Sequence, residues 1–291
     1  MSSPTPPLII DSHIHLYPST ELASLAWCHP THPLHAQRSV AEFHAATGSP
    51  PNLAGFLFVE TDRQPTAAAA DFAGPLQEIA FMRRLATGDP RPGEGHTPAD
   101  AKLCLGFVPW APMTLGARGR RRLEGISRAG GWEETWSRVK GWRYLLQDKE
   151  NGTGLGEGFI EGLKVLLRGF EVTDPSFIAW RTAMFTLSKC RKTYMKLSGC
   201  FSELPDKLRE RPAEDIFAAI LPWLAVVVAA FGPSRIMFGS DWPVCTVVVG
   251  EDAWKKWHKI VDMVCDLAGL SPEDQAMLWG GTAKEAYKLD C

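Results

Sequence analysis

Asp11, His13 and His15 follow the apolar run Leu8-Ile9-Ile10 near the start of the chain. Residues two apart on a β-strand point to one face. The spacing therefore predicts that the carboxylate and both imidazoles project together, with Ser12 and Ile14 opposite. Two imidazoles and a carboxylate at a strand end form a half-site for a divalent metal, or for proton transfer without one. A matching carboxylate stands near the other end of the chain. Asp241 closes the apolar run Ile236-Met-Phe-Gly-Ser240 and is followed by Trp242-Pro243, which stops further strand pairing. If the first and last strands are neighbours, as closure of a barrel requires, Asp241 lies beside His13 and His15. A carboxylate held there can orient and deprotonate a water molecule.

Other polar residues end apolar runs. Glu60 ends the strand predicted over Leu53–Glu60, and Ser198 lies at the end of the one over Thr193–Gly199. Arg143 sits in the strand predicted over Val139–Asp148, where it suits either a bidentate grip on substrate oxygens or an internal ion pair. His29, His32 and His35 lie in a Pro-broken, polar loop spanning Tyr17 to His44. Their irregular surroundings point to a loop over the mouth of a site rather than to a metal cluster. The basic run Arg118 to Arg122 reads as a solvated face. Gly152 to Gly158 lacks the strand-to-helix context of a phosphate cradle.

These residues need a scaffold that gathers strand ends. Strands predicted over 8–15, 53–60, 103–109, 139–148, 193–199 and 235–243 alternate with helices over 71–86, 159–170, 175–192, 216–231, 252–267 and 272–289, the last with Ser271 as N-cap. The run 216–231 is interrupted by Pro222 and is short for a membrane span, so it reads as a buried helix. Alternating strands and helices predict a parallel α/β sheet. Polar residues at strand C-termini fit a TIM-barrel-type (β/α)8 fold, whose sites are built on that face. A doubly wound sheet would bind ligands there too, but no Gly-rich dinucleotide fingerprint follows the first strand.

The chain has 291 residues, 45% of them hydrophobic, enough for a substantial core. Its formal net charge of -2 argues against a general nucleic-acid binder. Seven scattered cysteines form no disulfide framework and suit a reducing compartment. The Pro-rich start lacks the marks of a signal peptide. The expectation is a cytoplasmic protein with a disordered lead-in over 1–7 and a single domain over 8–291, acting on a small molecule, with no nucleic-acid or membrane partner.

Asp11-x-His13-x-His15 with Gly239-Ser-Asp241-Trp-Pro243 resembles the amidohydrolase-related metal-dependent hydrolases, which are TIM barrels. Gly141-Trp-Arg-Tyr-Leu-Leu-Gln-Asp148 and Met195-Lys-Leu-Ser-Gly199 resemble, within them, the sugar-lactone lactonase branch of fungal L-rhamnono-γ-lactonases and L-fuconolactonases. The resemblance implies opening of a sugar-derived lactone, with Asp241 activating water. It implies a divalent ion such as zinc on His13, His15 and Asp241, and substrate held by Arg143, with Glu60 and Ser198 as further substrate-binding candidates. Some relatives work without a metal, and others are decarboxylases, so carbon–carbon lysis is the alternative activity.

One departure stands out. Relatives carry two further strands between the Gly-Trp-Arg and Lys-Leu-Ser-Gly segments, the second ending in a histidine. Here no histidine occurs between His96 and His258. Six good strands remain where a closed barrel has eight. The expectation is an incomplete barrel, with about two strands missing around residues 168–175. The reading favoured is a mis-spliced or wrongly assembled gene product over a smaller barrel that closes irregularly, and the third functional reading, beside lactonase and decarboxylase, is a catalytically inactive homologue.

Overall fold

The structure is a computed structural model; it describes residues 6–64, 72–112, 121, 123–125, 128, 133–145 and 172–291. Its centre is an arc of parallel strands. Strand β1 (Ile9–Ile14) pairs with β2 (Leu53–Val59), and β2 with β3 (Cys104–Val108). Beyond β3, Val139 and Arg143 bridge to Phe107 and Trp110, also in parallel. On the other side of β1, Ile14 bridges to Trp242, just past β5 (Ile236–Phe238), and β5 pairs with β4 (Met195–Leu197). The arc thus runs from β4 through β5, β1, β2 and β3 to the 139–143 segment. First and last strands are neighbours, as the sequence predicts. Among the described residues the barrel does not close: the arc is that of a TIM barrel opened between its fourth strand and β4. Residues 146–171, which include the predicted helix over 159–170 and the first half of the 168–175 stretch where strands were expected to be missing, lie outside the described residues, as does most of the Arg118–Arg122 run.

Alternation along the strands creates two apolar faces. Ile9, Phe56, Phe58 and Phe107 face helices α1 (Val40–Thr47) and α2 (Ala73–Thr87), among whose buried residues are Phe43, Phe81 and Leu85. Ile10, Leu57 and Met237 face the other way and pack on Ala283 and Leu289 of the C-terminal segment. Helix α1 corrects the loop predicted over 17–44. Ser39 and Glu42 form a reciprocal capping box that starts it, and Gly48 at φ 72 ends it.

Three longer helices follow along the chain: α3 (Pro175–Ser188), α4 (Ala213–Phe231) and α5 (Ala253–Leu267). The side chain of Asp174 caps α3 by accepting from the Ser176 amide. Helix α4 covers the run read as a buried helix, and it is buried along one side. It is long and apolar enough to cross a membrane by those measures alone, yet only one face is buried, through Ile216, Ile220, Trp223, Leu224 and Phe231. Ala218, Ala219, Ala225 and Ala229 lie on the exposed side. The final predicted helix is broken into Pro272–Ala276, a π turn over Met277–Gly281, and Thr282–Tyr287. Ser271 caps it as expected, accepting from the Asp274 amide at 3.1 Å.

Candidate active site

The C-terminal end of β1 carries the site, and a bulge shapes it. Asp11 pairs with Phe56 and Ile14 with Phe58, so three steps along β1 match two along β2. The extra residue reverses the facing of the side chains around it. Asp11 therefore does not join the histidines, which corrects the simple alternation read from the sequence. It is fully buried on the helix side, where Oδ2 accepts from Trp254 Nε1 on α5 at 2.9 Å and Oδ1 from the Ser240 amide at 2.9 Å. Burial pushes its carboxyl up to about 6, against the pull of these hydrogen bonds. Asp11 is thus a clamp between β1, the end of β5 and α5.

His13, His15 and Asp241 do converge. Asp241 Oδ1 lies 3.6 Å from His13 Nε2 and 3.3 Å from His15 Nε2. One ligand atom from each lies within 4.8 Å of the others. Backbone bonds set this register: the Asp241 amide donates to the His13 carbonyl at 2.8 Å, and the His15 amide to the Trp242 carbonyl at 2.7 Å. Asp241 adopts φ 60, a left-handed conformation that costs a non-glycine residue about 1 kcal/mol and recurs at functional sites. Gly239 permits the close approach, because a Cβ there would meet His13 Cβ at 3.0 Å and Ser12 Oγ at 3.2 Å. From α5, Trp257 Nε1 donates to the carbonyls of Gly239 and Leu197, holding the ends of β5 and β4 together.

The donor set fits a divalent cation. His15 Nδ1 donates to the carbonyls of Val59 and Glu60 at 3.0 and 2.9 Å, which fixes its ring and leaves Nε2 facing Asp241. An imidazole lone pair facing a carboxylate oxygen needs a cation or a proton between them. His13 is held neutral: burial drives its pKa well below the ordinary value, helped by the cations of Lys196 and Arg143. Among the described residues, both its ring nitrogens are buried without a hydrogen-bond partner. Two imidazoles and a carboxylate are a common zinc donor set.

A cavity of ≈ 510 Å³ opens beside this cluster, and His15, Asp241, Glu60 and Arg143 are among the residues that line it. Arg143 reaches Glu60 Oε1 at 2.6 Å, so the internal ion pair exists, yet Arg143 keeps a quarter of its side chain exposed to the cavity. Buried Glu60 also accepts from the Asp62 amide at 2.6 Å, which fixes the carboxylate. Ser198 does not line the cavity among the described residues; Ser202 does. Gly199, at φ 72, turns the chain into the 3-10 turn Cys200–Glu203, which carries Ser202 round. Trp27, His32 and Leu34 of the His-rich segment form one wall, as a loop over the mouth should. Trp27 and Tyr17 were not foreseen. The indole is anchored by Nε1 donating to the Thr61 carbonyl at 2.8 Å.

The strand order is that of a TIM-barrel-type fold with a His–His–Asp cluster at its strand ends, and the chain is similar in sequence and fold to amidohydrolases. Residues 167–289 match the family model described as Amidohydrolase. Along 97% of its length the chain is 26% identical to the L-rhamnono-γ-lactonase of Scheffersomyces stipitis, 98% of which is covered. That alignment runs over 339 residues against the 291 here, so the relative contains segments with no counterpart in this chain. Over 126 residues, 43% of this chain and 40% of the relative, it is 36% identical to an L-fucono-1,5-lactonase of Burkholderia multivorans. Among solved structures, a zinc-bound amidohydrolase from Burkholderia multivorans superposes with a TM-score of 0.67 at 21% identity, over 97% of this chain and all of that one. An amidohydrolase 2 from Bifidobacterium longum subsp. infantis gives 0.56 at 18% identity, covering 98% of this chain and all of that one. The recognition made from the sequence motifs stands.

Proposed function

We propose that the chain is a hydrolase that opens a sugar-derived lactone. The observation that carries this reading is the convergence of His13, His15 and Asp241 beside a cavity that His15 and Asp241 line together with Arg143. The lactonase names of the two curated relatives support the ester ring as substrate.

His13, His15 and Asp241 would hold a divalent ion, zinc being the first choice for this donor set. When bound, such an ion polarises a carbonyl oxygen and lowers the pKa of water. Asp241 accepts a proton from the attacking water as its oxygen bonds to the lactone carbonyl carbon. The ring C–O bond then breaks, and the proton passes from Asp241 to the departing ring oxygen, giving an open hydroxy acid. Arg143, steadied by Glu60, hydrogen-bonds substrate oxygens near that carbon. His15 keeps its orientation through the Val59 and Glu60 carbonyls. Ser202 stands at the cavity where Ser198 was expected to contribute.

The test is a panel of aldonolactones incubated with purified, zinc-supplemented protein, with acid release followed by indicator dye. Turnover of at least one lactone that is lost in Asp241→Asn supports the reading. A well-folded, zinc-loaded protein that turns over none of them refutes it and returns the chain to the status of an inactive homologue.

A further inference from the structure

Lys196 is the middle residue of β4, and β5 separates that strand from β1. Its Nζ nevertheless reaches β1, donating to the Ser12 carbonyl at 2.7 Å. Ser12 lies within the bulge, between the clamp residue Asp11 and the site residue His13. The peptide it belongs to is where the chain changes from presenting a side chain to α5 to presenting one to Asp241. A bulge leaves one residue out of the regular ladder, so its backbone groups need partners from elsewhere. The lysine supplies one, and a charged donor makes a stronger bond than a neutral one. The ammonium is fixed in turn by the Tyr287 ring, 5.4 Å away. Its other charged neighbours are Asp11, Asp241 and Arg143. It does not line the cavity among the described residues.

We infer that Lys196 is a positioning residue whose ammonium locks the bulge at Ser12 and so aims His13 at Asp241. The inference rests on reading His13, His15 and Asp241 as the reactive centre, but it concerns the geometry of His13, which can be measured without substrate. Removing the ammonium frees the Ser12 carbonyl, lets the extra residue migrate along β1, and turns His13 away. The side chain acts through another residue and has no part in bond making.

The test replaces Lys196 with methionine, which keeps the length and removes the donor. Histidine-labelled full-length protein is compared by ¹H–¹⁵N spectroscopy without added metal, with His13 identified from the His13→Gln spectrum. In Lys196→Met the His13 ring signals shift or broaden, whereas those of His44 and His258, held by Asp100 and Asp262, superimpose on wild type. Titration of the metal-free protein with zinc shows affinity about 10- to 100-fold weaker, the usual effect of losing a residue that orients a ligand. Lys196→Ala recovers the wild-type His13 signals on addition of ethylammonium, and this comparison decides the matter should the methionine variant fold poorly. Unchanged His13 signals in a folded Lys196 variant overturn the inference. If wild-type protein neither binds zinc nor opens a lactone, the proposed activity fails, and the His13 spectra still decide the role of Lys196.

Discussion

His15 and Asp241 face each other across 3.3 Å, with the histidine ring pinned from behind by the Glu60 carbonyl at 2.9 Å. The pinning spends the Nδ1 proton on the backbone, so Nε2 can approach the carboxylate only as a ligand to a shared cation or as a proton carrier. Asp241→Asn keeps the shape and abolishes the charge. Turnover should fall at least about 100-fold, the lower range for losing a general base. Progress curves on the best lactone substrate measure it, with circular dichroism confirming the fold.

Arg143 and Glu60 form a pair of unequal exposure: the carboxylate is fully buried while the guanidinium borders the cavity. Removing the cation strands the buried charge, which typically costs about 3–5 kcal/mol. Arg143→Met should therefore lower both stability and activity. Adding Glu60→Gln to Arg143→Met should recover most of the stability but none of the activity. Denaturant melts of the two single variants and the double variant, set against their kcat/KM values, separate the roles. Equal recovery of both quantities would show that Arg143 is purely structural.

The partnership of His13, His15 and Asp241 was legible because each ends an apolar run, and in a parallel barrel such ends gather on one face. Arg143 was legible as a chemical type, but sequence could not choose between ion pair and substrate grip; the structure has the pair and exposure to the cavity together. The bulge in β1 was not legible. Nothing in Ile-Ile-Asp-Ser-His-Ile marks an extra residue, since the register depends on β2 and on Lys196. The exchange of Ser198 for Ser202 follows from the left-handed turn at Gly199, a signal that was present and could have been used. The same holds for the Ser39 and Glu42 capping box that opens α1. The clamps made by Trp254 and Trp257 could not be foreseen, because their partners lie on strands far away in sequence.

Those clamps carry the next expectation. Trp257 Nε1 serves two carbonyls, of Leu197 and Gly239, and no other residue of α5 reaches both strands in this way. Trp257→Phe keeps most of the apolar packing and removes the donor to the Gly239 carbonyl, while the Leu197 carbonyl keeps the Gly239 amide at 3.2 Å. The loss of stability should be about 1–3 kcal/mol. Gly239→Ala acts on the same spot from the other side, pressing a methyl group against His13 Cβ. It should reduce turnover far more than stability, because the strand can yield by moving His13. Thermal melts and lactonase assays on both variants check the contrast: Trp257→Phe affects mainly the melt, Gly239→Ala mainly the assay.

Behind the cavity, buried acids and arginines lock the loop after β2. Glu78 of α2 accepts from both the amide and the hydroxyl of Thr61, and Arg63 Nε lies 3.6 Å from it. Arg63 also pairs with Glu21, and Arg84 joins Glu21 to Glu94. Burial pushes the Glu78 carboxyl up to about 7, with Arg63 pulling it down and the nearby Glu60 charge pushing it further up. A carboxyl raised on folding binds its proton more tightly in the folded state. Its favourable contribution is complete below the ordinary value of 4.5 and is lost as pH rises through about 7. Glu78→Gln keeps an oxygen for Thr61 and removes the titration. The stability of wild type relative to this variant should therefore fall as pH rises from 4.5 towards 7, by up to about 1.4 kcal/mol per pH unit for a single proton, and level off above. Urea melts of both proteins across that range measure the difference directly, since groups common to both cancel. Parallel pH curves would mean that Glu78 stays charged throughout, its burial fully offset by Arg63.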